Sequence, residues 1–268
     1  IRSSSEKQPV TASPRRWRQN LGRYALSKLT AVGIGPGNYE NMTIRADRAL
    51  RDADVIVGYT VYVELVRDRY PEKEFLTTAM TRETQRCAMA LEEARKGKNV
   101  AMICSGDSGI YGMAALLYEL RGENTDPEIE VIPGLTAACS GGALLGAPLT
   151  HDFAVISLSD RLTPWEKIAA RLDCAAKGDL GIVLYNPRSK GRPDNLRMAC
   201  DILLKTLPGD RICGVARQIG REGEQRCFLT LRELRDAEVD MFSTVFIGNA
   251  MTRMVAGNMV TPRGYRNV

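Results

Sequence analysis

One histidine, His151, serves all 268 residues, so a histidine-built metal centre is excluded. Aromatic residues are sparse, at 6%. No run approaches the roughly 18 apolar residues that a membrane helix requires, and no secretory signal pattern opens the chain. The seven cysteines form no C-x-x-C pair, are odd in number and are widely spaced. That distribution suggests buried free thiols in a reducing cytoplasm and gives an iron–sulfur cluster no support. No metal site is expected.

A basic surface is also missing once one segment is set aside. Residues 1–28 hold seven basic side chains against one acid, Glu6, which more than accounts for the net charge of +5. The rest of the chain is close to neutral and carries no electrostatic signature for nucleic acid. Residues 1–28, rich in Ser, Pro and Arg and without periodicity, are expected to form a flexible basic tail.

What remains has the composition of an ordinary globular protein, 44% hydrophobic and 26% charged. Short apolar runs alternate with amphipathic ones. Strands are predicted at Leu29–Gly33, Asp54–Gly58, Glu74–Thr77, Asn99–Cys104 and Glu128–Ile132, with helices after Thr43, over Val61–Arg69, Thr81–Lys96 and Met113–Leu120, and over the small-residue stretch Leu135–Leu145. A second series follows Pro148, with strands at Ala154–Leu158, Leu180–Leu184, Arg211–Val215 and Thr244–Ile247. Its helices are predicted at Pro164–Ala175, Pro193–Leu207 and Leu231–Ala237, and Cys227–Leu229 reads as a hairpin arm. Strands alternating with helices imply α/β sheets covered on their faces.

Three glycine-bearing turns stand at predicted strand ends, where open α/β sheets bind ligands. The first, Gly33-Ile34-Gly35-Pro36-Gly37, fails the dinucleotide spacing because Asn38 occupies the third glycine position, and no Walker-type lysine follows it. The second is Ser105-Gly106-Asp107-Ser108-Gly109-Ile110-Tyr111-Gly112. Its Asp107 could meet a ligand or bond to neighbouring backbone N–H groups. The third is Ile132-Pro133-Gly134-Leu135-Thr136-Ala137-Ala138.

Together with Met42-Thr43 and Gly146-Ala147-Pro148-Leu149, these motifs resemble the tetrapyrrole methylases, which methylate ring carbons of uroporphyrinogen-derived macrocycles with S-adenosyl-L-methionine. The resemblance runs in order from about Leu29 to Ile247. Residues 149–165 and 184–196 are most similar to the branch that methylates C17 of precorrin-3B, with or without cobalt, and contracts the ring in cobalamin biosynthesis.

The resemblance implies two α/β domains, 29–148 and 149–268, with a cleft between them, a homodimer, and a small-molecule tetrapyrrole as partner rather than nucleic acid or membrane. It implies a cofactor held mainly by backbone. Gly35 and Pro36 would contribute from the first loop, Ser105, Gly106, Asp107 and Ile110 from the second, and Thr136 and Ala137 from the third. Tyr185 and Asn186 would join them from the second domain, although relatives often carry methionine at the position of Asn186. Ring contraction requires proton movement, for which His151, near the domain junction, is the first acid–base candidate, with Asp107, Asp160, Ser157 and Ser159 behind it. Arg188, Lys190 and Arg192, beside Asn186, are the preferred binders of substrate carboxylates, with Arg161, Arg217 and Arg221 as additions. Competing readings are a methylase acting at another ring carbon and a catalytically silent corrinoid-binding module; the intact glycine loops favour retained cofactor binding.

Overall fold

The computed structural model describes residues 28–265; the predicted tail, apart from Lys28, lies outside the described residues. Strands β1 (Lys28–Gly33), β2 (Val55–Tyr59), β3 (Glu74–Thr78), β4 (Val100–Cys104) and β5 (Glu128–Ile132) form one parallel sheet in the order β3-β2-β4-β1-β5. Every residue of β4 is buried, which is why it reads as an unbroken apolar run rather than an alternating one. Helices α1 (Ile44–Asp52) and α2 (Thr60–Glu64) cover one face, packing Ala46, Leu50 and Val63 on Val32, Ile56 and Ile103. Helices α3 (Glu83–Arg95) and α4 (Ala114–Arg121) cover the other, packing Cys87, Leu91 and Leu117 on Leu29, Val57 and Met102. Thr43 caps α1 as expected, its Oγ1 accepting the Ala46 N–H at 3.1 Å.

The helix expected over Val61–Arg69 is shorter. It stops at Glu64, and a single 3-10 turn occupies Arg67–Arg69. Pro71 disfavours helical backbone at Tyr70, and that residue has left it, with φ −128° and ψ 57°.

After β5 come α5 (Ala137–Leu145) and the two-residue strand β6 (Gly146–Ala147). A second sheet is built from β7 (Phe153–Ser157), β8 (Gly181–Tyr185), β9 (Ile212–Arg217), β10 (Gln225–Thr230) and β11 (Ser243–Ile247), ordered β10-β9-β11-β8-β7. Only β7 and β8 pair in parallel, and β9–β10 is the expected hairpin. Helices α6 (Trp165–Lys177), α7 (Asn195–Leu203) and the single turn α8 (Leu231–Leu234) cover one face. The opposite face, with Val183, Ala216 and Phe246, is covered by α5, although α5 follows directly on the first sheet in sequence. Its small residues permit this contact: a Cβ on Gly141 would stand 2.9 Å from the Phe246 ring.

Strands β12 (Arg253–Val255) and β13 (Asn258–Val260), unanticipated from sequence, form a hairpin whose second arm pairs in parallel with β6. They carry the C-terminal segment back to the junction, where Thr261 donates N–H to the Ala147 carbonyl at 3.0 Å. No helix among the described residues is long and apolar enough to cross a membrane.

All seven cysteines are free thiols, with Cys87, Cys104, Cys200 and Cys213 buried and Cys139, Cys174 and Cys227 exposed. Burial pushes the Cys87 and Cys200 thiols up to about 12 and Cys104 to about 11. An Ellman titration of the native protein should therefore detect three thiols, rising to seven in denaturant. Fast reaction of Cys104 or Cys213 in native buffer would contradict this packing.

Candidate functional site

Neighbouring strands β4, β1 and β5 end at the three glycine turns, so the sheet itself brings the turns together. Gly35 and Gly106, with φ of +76° and +69°, exchange two backbone hydrogen bonds of 3.1 and 2.7 Å that tie the first turn to the second. Asp107 ties the second turn to itself and to the third. Its Oδ1 accepts the N–H groups of Gly109 (2.7 Å) and Ile110 (3.0 Å), and its Oδ2 accepts that of Gly134 (2.9 Å). Asp107 thus makes the backbone bonds of one reading, and it also faces the cleft between the two sheets.

The second sheet closes over these turns from the other side. The Tyr185 hydroxyl accepts the Ala138 N–H at 2.7 Å and bonds to Thr136 Oγ1, joining β8 to the start of α5; burial pushes this phenol up. The Tyr111 hydroxyl donates to the Val155 carbonyl and accepts the Ser157 N–H, both at 3.1 Å, so the second turn docks on the edge of β7. Arg221 crosses from beyond β9. Its Nε donates to the Pro36 carbonyl and its Nη2 to Ser105 Oγ, each at 2.9 Å. The guanidinium lies 5.8 Å from the Tyr62 ring centre and 5.6 Å from that of Phe242, and burial lowers its pKa.

Between the sheets lies an open cleft of about 200 Å³. Pro36, Ser105, Gly106, Asp107, Ile110, Thr136, Ala137, Tyr185 and Asn186 line it. Gly35 stands behind the wall, in its pairing with Gly106. Tyr111, Asn186 and Gln218, three of the six non-glycine residues with positive φ among the described residues, also line it, and such backbone strain concentrates at functional sites.

A second cavity, of about 270 Å³, adjoins the first; Tyr62, Ser105, Tyr111, Asn186 and Met241 line both. Its wall contains Arg161, Arg188 and Arg192, together with Arg86 from α3. Arg192 is fixed by Ser189 Oγ (3.1 Å) and Ser159 Oγ, with Asp160 Oδ1 at 3.7 Å from its Nη1.

Not every sequence candidate reaches the two cavities. Ser157 lines neither; its Oγ accepts from Asn186 Nδ2 at 3.0 Å and from the Ser159 N–H at 3.2 Å, which orients the loop. Ser159 lines the second cavity, while Asp160 and Lys190 line neither. Arg217 is held by Asp240 at 2.8 Å, outside both linings. His151 also lies outside them, its Nε2 bonded to the Pro262 carbonyl at 2.8 Å, so it fastens the C-terminal segment. Among the described residues, no cluster of His, Cys, Asp and Glu could hold a metal ion.

Sequence reasoning missed Tyr62, Met241, Phe242 and Arg86. They come from segments without glycine motifs, and only the fold joins them.

Comparison with known proteins agrees with this geometry. Residues 28–235 match the tetrapyrrole (corrin/porphyrin) methylases. A probable cobalt-factor III C(17)-methyltransferase from Salmonella typhimurium is 45% identical, over 88% of this chain and 99% of its own length. A precorrin-3B C(17)-methyltransferase from a Sinorhizobium species is 37% identical, over 88% of this chain and 96% of its own. The crystal structure of the methyltransferase CobJ superposes with a TM-score of 0.82 at 36% identity, covering 88% of this chain and all of that one. The chain belongs to the tetrapyrrole methylase family.

Proposed function

We propose that this protein transfers a methyl group from S-adenosyl-L-methionine to C17 of a precorrin-3B-type macrocycle, in the cobalamin-pathway step that also contracts the ring. The observation that carries the reading is one cleft, formed by three glycine turns, opening onto a second cavity walled by arginines. The first cleft suits a donor without phosphate. Arg221, the one cation lining it among the described residues, is already engaged by Pro36 and Ser105, and its turns approach a ligand through backbone and small side chains. The second suits a macrocycle bearing several carboxylates, because guanidinium groups pair with carboxylates bidentately.

Bound in the first cleft, the donor supplies a sulfonium-bound methyl group, an electrophile that needs no activating acid. The protein's share is then orientation and exclusion of water. Asn186, held by Ser157, and the rings of Tyr62 and Tyr111 stand where the two cavities meet. We assign Asp107 to holding the turns, since its carboxylate already accepts three backbone N–H groups. Ser159 we assign to holding Arg192.

The cobalt form is the preferred substrate in this reading, because the relative named for cobalt-factor III is 45% identical and the one named for precorrin-3B is 37%. From the family we also carry over a cytoplasmic homodimer, which sedimentation equilibrium reads directly. The functional test is mass spectrometry of reactions containing S-adenosyl-L-methionine and either the cobalt or the metal-free macrocycle. A gain of one methyl with a contracted-ring spectrum, faster on the cobalt form, is expected. Donor binding without methyl transfer to either macrocycle would overturn the C17 assignment.

A further inference from the structure

Arg86 is the least solvated cation at the second cavity, with 5% of its surface exposed. Its Nε donates to Thr78 Oγ1 at 2.9 Å, its Nη2 donates to the Ala79 carbonyl at 3.2 Å, and its guanidinium lies 5.8 Å from the Tyr59 ring centre. All three partners are neutral. Arg45, Arg217 and Arg235, by contrast, each meet a carboxylate. Burying a charge without a counter-ion is expensive, and such charges are ordinarily paired. Glu83, one turn earlier on α3, shares the cavity wall but forms no ion pair with Arg86. Arg161, Arg188 and Arg192 come from loops of the second sheet, whereas Arg86 is anchored on the first. The cavity thus has one deep cation on one side and three loop cations on the other.

We propose that Arg86 is a dedicated subsite for one carboxylate side chain of the macrocycle, and that this deep contact fixes the ring's rotation relative to the methyl donor. The inference rests on the functional reading above. A tetrapyrrole presents similar acidic arms around its rim, so loop arginines alone would accept several rotations. A single buried guanidinium admits one arm and turns one ring carbon toward the junction of the cavities. Arg86 thereby acts on which carbon is methylated without touching the donor.

The test is fluorescence titration of uroporphyrin, an unreactive polycarboxylated macrocycle, into wild type, Arg86→Met, Arg86→Lys and Glu83→Gln, with S-adenosylhomocysteine affinity measured in parallel. Hydrogen bonds to a charged group contribute about 1.5–3 kcal/mol, so Arg86→Met should weaken uroporphyrin binding roughly 10- to 100-fold and leave the S-adenosylhomocysteine affinity unchanged. Arg86→Lys should retain part of the affinity, and Glu83→Gln, which removes a like charge from the wall, should tighten binding. Unchanged uroporphyrin affinity in Arg86→Met or Arg86→Lys would overturn the subsite. So would weakening by Glu83→Gln, which would make Arg86 a structural partner of Glu83. A wild-type protein that binds S-adenosylhomocysteine but no carboxylated macrocycle would instead overturn the functional reading, and the subsite with it.

Discussion

Gly134→Ala is expected to abolish measurable S-adenosyl-L-methionine binding in a chain that still folds. A Cβ at this position would stand 2.1 Å from the Gly106 carbonyl oxygen and 2.6 Å from that of Gly33. Both obstacles are backbone, one at the end of buried β1 and one in a turn pinned by Gly35, so neither can rotate away. The same substitution strains the Gly134 N–H bond to Asp107, on which the second turn depends. Overpacking of this kind costs about 1–3 kcal/mol, which lowers Tm by roughly 2–10 °C in a domain of this size. The effect on the ligand should exceed that on the fold, because all three turns must shift apart. Gly191→Ala provides the control: a Cβ there meets nothing within 4 Å, and exposed substitutions of that kind usually stay within about 0.5 kcal/mol. Calorimetric titration of both variants, with circular dichroism as the fold check, decides the matter. Wild-type affinity in Gly134→Ala would mean that the crossing of the turns is not the donor site.

Removing the Arg221 side chain should be the next most damaging change. Arg221→Met keeps much of the volume between Tyr62 and Phe242 but deletes two charged hydrogen bonds, to Pro36 and Ser105, that join the second half of the chain to the first two turns. Both bonds join walls of the cleft rather than touch the donor, so only part of the about 1.5–3 kcal/mol that each contributes is felt in binding, and the donor affinity should fall roughly 10- to 100-fold. Arg221→Lys should restore little, because a single ammonium cannot reproduce the planar fork that spans both acceptors. Full rescue by lysine, read by the same titration, would reduce the role of Arg221 to charge alone.

The two changes differ in how visible their sites are in the sequence. Gly134 belongs to a short glycine–proline turn whose composition states its need for close approach, and the same holds for Gly35-Pro36 and Gly106-Asp107. Arg188 and Arg192 were legible as basic loop residues near Asn186, and Arg161 as an addition to them. Arg86 was not, because a charged residue near the start of a polar helix reads as solvent-facing; only the fold of Thr78-Ala79 against it buries it. Sequence order likewise assigned α5 to the first half, while packing of Gly141 on Phe246 puts it on the second sheet. The β12–β13 hairpin went unread because its turn uses Ala256-Gly257, both at positive φ (47° and 75°), instead of the commoner Asn-Gly. His151 is the opposite case. Rarity drew attention to it, and its ring holds the backbone of Pro262.

The central claim is tested most directly by running the reaction with S-adenosyl-L-methionine labelled with carbon-13 in its methyl group and reading the isolated product by NMR. A single enriched methyl attached to C17 of a contracted macrocycle is the predicted result. Label at another ring carbon would leave the family membership standing and contradict the assigned reaction, and an unlabelled macrocycle recovered beside intact donor would contradict methyl transfer to this substrate altogether.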